Sequence, residues 1–75
     1  MEHSNKKAID NLAQILYDNN IRITNYDYDS AMCVFTKIKA SEQVLELFQK
    51  ESFHVFVEIM RLETIDNMHN LFKPI

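Results

Sequence analysis

Apolar residues crowd most densely between Phe53 and Leu62, in the segment FHVFVEIMRL. Wound as a helix at about 100° per residue, its polar side chains His54, Glu58 and Arg61 fall at i, i+4 and i+7, on one narrow stripe. Phe53, Val55, Phe56, Val57, Ile59, Met60 and Leu62 occupy every other direction. A helix wetted along one thin edge has to be covered on its remaining faces. The segment is therefore expected to be the centre of a very small fold or a surface shared with a second chain. The alternation F-x-V-x-V-x-I also suits a buried strand, but the single polar stripe is better explained by a helix.

Upstream, Ala8, Ile9, Leu12, Ala13, Ile15 and Leu16 repeat at helical spacing. Ser4 or Asn5 serves as N-cap, and Asn19-Asn20 as a left-handed stop. In residues 21–29, Ile21 and Ile23 alternate as in a short strand, whereas Tyr26 and Tyr28 fall in the opposite phase. That break suits a loop carrying both tyrosines back to the core, with Asp27 or Asp29 capping the next element. Residues 30–39 form a fork. As a helix they gather Ala31, Met32, Val34, Phe35 and Ile38 on one side; as a strand they would pair with residues 21–26 in a hairpin. The helix segregates polar from apolar better.

Ser41 is a good N-cap, with Glu42 in the first turn and Val44, Leu45, Leu47 and Phe48 on the apolar face. Ser52 either caps a new helix or lies within a long one. Thr64 is expected to start a last short helix holding Ile65, Met68, Leu71 and Phe72, and Lys73 and Pro74 close the chain. The favoured fold class is thus all-α: one small domain over residues 1–75, a compact bundle of three to five short helices. The alternative is α+β, with a β-hairpin over residues 21–38 packed on helices.

Composition sharpens this picture. The 75 residues include no glycine and one proline. Tight hairpin turns and phosphate-cradling loops lean on glycine for positive φ, so β-rich folds are weakened and glycine-rich nucleotide-binding motifs are excluded. A net charge of −3, with the acids spread along the chain, attracts neither nucleic acid nor membrane surfaces. The single cysteine, Cys33, forbids an intrachain disulfide, and neither an apolar leader nor a membrane-length apolar run occurs. A cytoplasmic protein is the expectation.

Candidate chemistry is sparse. His54 and Glu58 could supply half a metal site, but zinc needs at least three protein ligands and no third residue stands at a diagnostic spacing. Asp66 and His69 resemble half of a carboxylate-bridged metal motif that has no second half. Cys33 has no companion base. An ordinary solvated helix edge, a routine amphipathic turn and a filler residue explain these better. No catalytic, cofactor or metal residues are assigned, and no enzyme is expected.

Tyr26-Asp27-Tyr28-Asp29 is the most distinctive local motif, since alternating tyrosine and aspartate make a rigid amphipathic contact surface. The bland reading has one tyrosine packed inward and one aspartate capping a helix. The function expected from the sequence is non-catalytic: a small regulator, adaptor or inhibitor that buries an apolar helix face against another protein or a second copy. Its partner-binding residues would be Tyr26, Tyr28, Phe53, Phe56 and Met60. Small size and acidic charge also suit accessory proteins of phages and mobile elements, an association only. The alternative is a small helical DNA-binding transcriptional regulator using residues 30–51 as a helix pair.

Overall fold

Three α-helices, and no strand among the described residues, build the chain in a computed structural model that describes residues 5–71. Helix α1 spans Lys6–Asp18, α2 spans Tyr28–Lys37 and α3 spans Glu42–Leu71. The all-α expectation holds, and the hairpin alternative over residues 21–38 does not, because this stretch is a loop followed by α2. The helices are not all short. Helix α3 is divided by a kink at Glu51, and the segment that resumes at Ser52 runs on through the expected start at Thr64.

Each helix end has a local cause. Asn5 precedes α1 without a side-chain cap bond, whereas Ser4 lies outside the described residues. At the far end Asn20 takes φ 70°. Its amide donates to the Tyr17 carbonyl (3.1 Å), and the Ile21 amide donates to the Leu16 carbonyl (3.0 Å). These bonds satisfy carbonyls that the ended helix leaves open, and Ile21 folds back into the core. Helix α2 ends in the same way with an unlikelier residue: Lys39 sits at φ 59°, its amide on the Thr36 carbonyl and the Ala40 amide on the Phe35 carbonyl, both at 3.0 Å.

Asp27 caps α2 by accepting from the Ser30 amide at 2.8 Å and the Ser30 hydroxyl at 3.1 Å. The bonds from Ser30 hold the Asp27 carboxyl below the usual carboxylate range. Ser41 accepts the Val44 amide at 3.3 Å and starts α3, as its position before Glu42 implies.

Within α3 the backbone leaves helical values at Glu51 (φ −115°, ψ 24°) and resumes at Ser52. Beside this break the Tyr26 hydroxyl donates to the Ser52 carbonyl at 2.8 Å, an outside group entering the helix's own hydrogen-bond ladder. No break occurs at Thr64. Its hydroxyl donates to the Met60 carbonyl at 2.9 Å inside a continuing helix, so the expected separate last helix is absent. Phe72, Lys73 and Pro74 lie outside the described residues.

The core joins Leu12, Ala13 and Leu16 of α1, Ile21 of the first loop, Ala31 and Phe35 of α2, and Phe48, Val55 and Ile59 of α3. Before the break, Phe48 meets Phe35 with ring centroids 5.2 Å apart; after it, Val55 and Ile59 complete the cluster. The radius of gyration is 13.2 Å, against about 11 Å expected of a compact chain this long. The thinnest dimension, 17 Å, accommodates two helix layers at the usual separation of about 8–10 Å, not three. One side of α3 is therefore left uncovered.

Candidate interaction surface

The uncovered side is defined by helix phase. After Ser52, buried Val55 and Ile59 and half-buried Leu62 point to the core. On the opposite side of the same helix lie Phe53, 69 % exposed, then Val57, Met60 and Met68, and finally Leu71, 79 % exposed. Every residue from Thr64 to Leu71 is exposed, so the last two turns place no side chain in the core. Scattered apolar residues on a surface are ordinary; a row of five along one helix is a patch.

This arrangement corrects the reading of the polar stripe. Glu58 is not at a wet edge but buried, 8 % exposed, on the shoulder of the core. Arg61 donates to it through Nε at 3.0 and 3.1 Å and through its terminal nitrogen, which raises the Arg61 pKa further above its ordinary value. His54 turns away to Glu51, with Nδ1 2.8 Å from Oε1. The apolar side chains facing water in this segment are Phe53, Val57 and Met60, of which the sequence pattern assigns Phe53 and Met60 to contacts.

Of the five expected contact residues, three meet at one place. Tyr26, Phe53 and Phe56 line a shallow open groove of about 460 Å³ with Ile23 and Ser52. Tyr26 and Phe56 form its floor, ring centroids 4.9 Å apart. Burial pushes the Tyr26 phenol up to about 12, and its hydroxyl is bonded to Ser52, so the residue serves the fold as well as the groove. Met60 lies two turns along α3 from Phe53, on the same exposed side. Tyr28 does not line the groove: it is partly exposed and stacked on Phe48 (5.5 Å between centroids, 27° between planes).

The loop beside the groove is held by polar contacts at its start. Asn25 Oδ1 accepts the Arg22 amide at 2.6 Å, and the Asn25 backbone amide returns to the Arg22 carbonyl at 3.1 Å, making a tight turn that leaves Ile23 outward. The Ile23 amide donates to Glu63 of α3 at 3.2 Å. The guanidinium carbon of Arg22 stands 3.6 Å above the Tyr17 ring, and the Tyr17 hydroxyl donates to Asp66. That hydrogen bond, reinforced by burial, raises the Tyr17 pKa. Asp66 thus ties α1 to α3 and is not paired with His69.

Val57, Ile23, Met68 and Leu71 belong to the surface although the sequence pattern does not select them. A helix restarting at Thr64 would place Ile65, Met68 and Leu71 on its core face. Counting on at about 100° per residue without a restart places Leu71 in line with Phe53 and Met68 closer to it than to the core side. Elsewhere, exposed Cys33 borders an open depression of about 700 Å³ between α2 and Asn19, with Met32 and Val34. Among the described residues no three His, Cys, Asp or Glu side chains are grouped to hold a metal ion, and no helix is long and apolar enough to cross a membrane.

No protein-family model matches the chain, and comparisons with curated proteins and with solved structures likewise return no match.

Proposed function

We propose that this is a non-catalytic interaction module whose working surface is the outer side of α3, with the groove formed by Ile23, Tyr26, Phe53 and Phe56 at one end. The observation that carries this reading is the disposition of α3 itself. Its core residues Val55 and Ile59 are fully buried on one side, while Phe53, Val57, Met60, Met68 and Leu71 stay exposed on the other. No contact among the described residues buries that second row. Aromatic and methionine side chains on a helix face are what a helix-to-helix or helix-in-groove contact buries, and interface affinity concentrates in a few such anchors. The charged groups nearby, Arg61 and Glu63, would then set orientation more than strength.

The helix pair over residues 30–51 supports a DNA-binding role less well. Lys37, Lys39 and Lys50 are interspersed with Glu42, Glu46 and Glu51, so no sustained basic face is available for phosphates.

The test is affinity capture with the full chain and with a Met60→Glu variant shown to be folded by circular dichroism. The expected outcome is one stoichiometric protein, this chain or another, retained by the wild type and lost with the variant. Equal retention by both would overturn the reading.

A further inference from the structure

The exposed row on α3 keeps one spacing over its whole length, which the core-facing Val55, Ile59 and Leu62 share for only two steps. Phe53, Val57, Met60, Thr64, Asn67 and Leu71 follow one another at steps of 4, 3, 4, 3 and 4, and all six are exposed. A repeat averaging 3.5 residues is the seam of a two-stranded coiled coil, whose slight under-winding keeps such positions facing a partner helix. Val55, Glu58, Ile59 and Leu62, which serve the fold, lie opposite this seam, so a helix laid along it displaces nothing from the core.

We infer that the occupant of this seam is α3 of a second copy, running parallel and in register. The inference rests on the interaction reading above and names its partner. Two features select the parallel register over the antiparallel one. Asn67 is the one amide in an otherwise apolar or methyl-bearing row, because the Thr64 hydroxyl is already bonded back to Met60. In a parallel pair Asn67 meets the second copy's Asn67, amide to amide. In an antiparallel pair of equal overlap it meets the second copy's Val57, an amide against a hydrocarbon, which costs an unpartnered hydrogen-bonding group. A lone polar residue in such a seam sets register at some cost in stability.

The flanks point the same way. Arg61 and Glu63 lie on opposite sides of the seam, each about 80° from its centre line. A parallel two-fold brings the Arg61 flank of one chain against the Glu63 flank of the other. An antiparallel two-fold brings Arg61 against Arg61 and Glu63 against Glu63. Arg61 already bonds Glu58 and Glu63 already accepts the Ile23 amide, so the charge preference is small, and its sign favours the parallel pair.

Size sets the strength. From Phe53 to Leu71 the seam runs about 27 Å. Two helices joined over that length bury roughly 1,000 Å² in all, at the lower limit of specific interfaces.

Sedimentation equilibrium of the purified full chain tests this. The apparent mass should climb from that of one chain toward that of two between about 1 and 300 μM, and Met60→Glu should weaken association about 30-fold or more. In a Cys33→Ser background, Asn67→Cys chains should oxidise readily to a disulfide-linked dimer. When mixed with Val57→Cys chains they should give mostly like-with-like products. Predominant crosslinking of an Asn67→Cys chain to a Val57→Cys chain would overturn the parallel register.

A wild-type chain that remains monomeric throughout overturns the second copy as occupant. If it is monomeric and Met60→Glu still loses a captured partner protein, the interaction reading stands without the dimer. If the capture experiment also shows no difference, both readings fall.

Discussion

The Tyr26 hydroxyl donates to the Ser52 carbonyl at 2.8 Å, immediately after the residue at which α3 leaves helical geometry. This bond joins the loop between α1 and α2 to the middle of the longest helix. It also fixes the Tyr26 ring against Phe56, which makes the floor of the exposed groove.

Replacing Tyr26 with phenylalanine keeps the ring contact and removes the bond. The Ser52 carbonyl then loses its donor, at a cost of about 1 kcal/mol. In a chain of this size that lowers Tm by about 4–8 °C. The raised pKa also makes the contribution depend on pH. Folding holds the phenol neutral up to about 12, whereas in the unfolded chain it ionises near 10. The stabilisation is complete below pH 10 and is lost as pH rises toward 12. Thermal melts across that window should show a steeper decline for the wild type than for Tyr26→Phe; parallel declines would contradict the assignment.

Lys39 ends α2 at φ 59°, a conformation that disfavours any residue with a Cβ. Lys39→Gly should stabilise the chain by about 1 kcal/mol, and Lys39→Ala should give no gain. Urea titrations with unchanged slope and a shifted midpoint would establish this. A destabilised glycine variant would mean that the lysine side chain itself contributes to the fold.

Glu58 and Arg61 make an unequal pair, one buried and one largely exposed. Removing the exposed partner by Arg61→Ala leaves a buried carboxylate without its donor. Removing the buried one by Glu58→Met exchanges a paired charge for apolar volume beside Val55 and Leu62, on the same side of the helix. Arg61→Ala should therefore be the more destabilising of the two, and the double variant should be closer to Glu58→Met than to Arg61→Ala. Denaturation midpoints of the three variants decide it; additive effects would show that the two groups do not act as a pair.

Much of the fold is legible in the sequence because short-range chemistry decides it. The apolar spacing of Ile9 to Leu16, the stop at Asn19-Asn20, the Asp27 cap and the Ser41 cap are local events, and each stands where the residues imply. The errors come from long-range packing. Thr64 has the chemistry of a helix start, yet in the folded chain its hydroxyl bonds back to Met60 and the helix continues. Treating it as a start resets the helical phase and hides the alignment of Leu71 with Phe53. Glu58 reads as a solvent residue by its charge, whereas the guanidinium of Arg61 makes its burial tolerable. Which face of an apolar helix the rest of the chain covers is a question of thickness and topology. Tyr28 shows the same limit: its ring stacks on Phe48, while Tyr26 alone of the two reaches the groove.

The central claim is that the fold closes on one side of α3 and leaves the other for contact. Unfolding free energy of a Val57→Glu, Met60→Glu, Leu71→Glu triple variant, measured by urea titration against the wild type at about 1 μM where self-association is minor, tests it most directly. The expected result is a difference within about 0.5 kcal/mol per site, as for surface positions. A loss of about 4 kcal/mol or more would show that these side chains are buried in the native fold, and would contradict the claim.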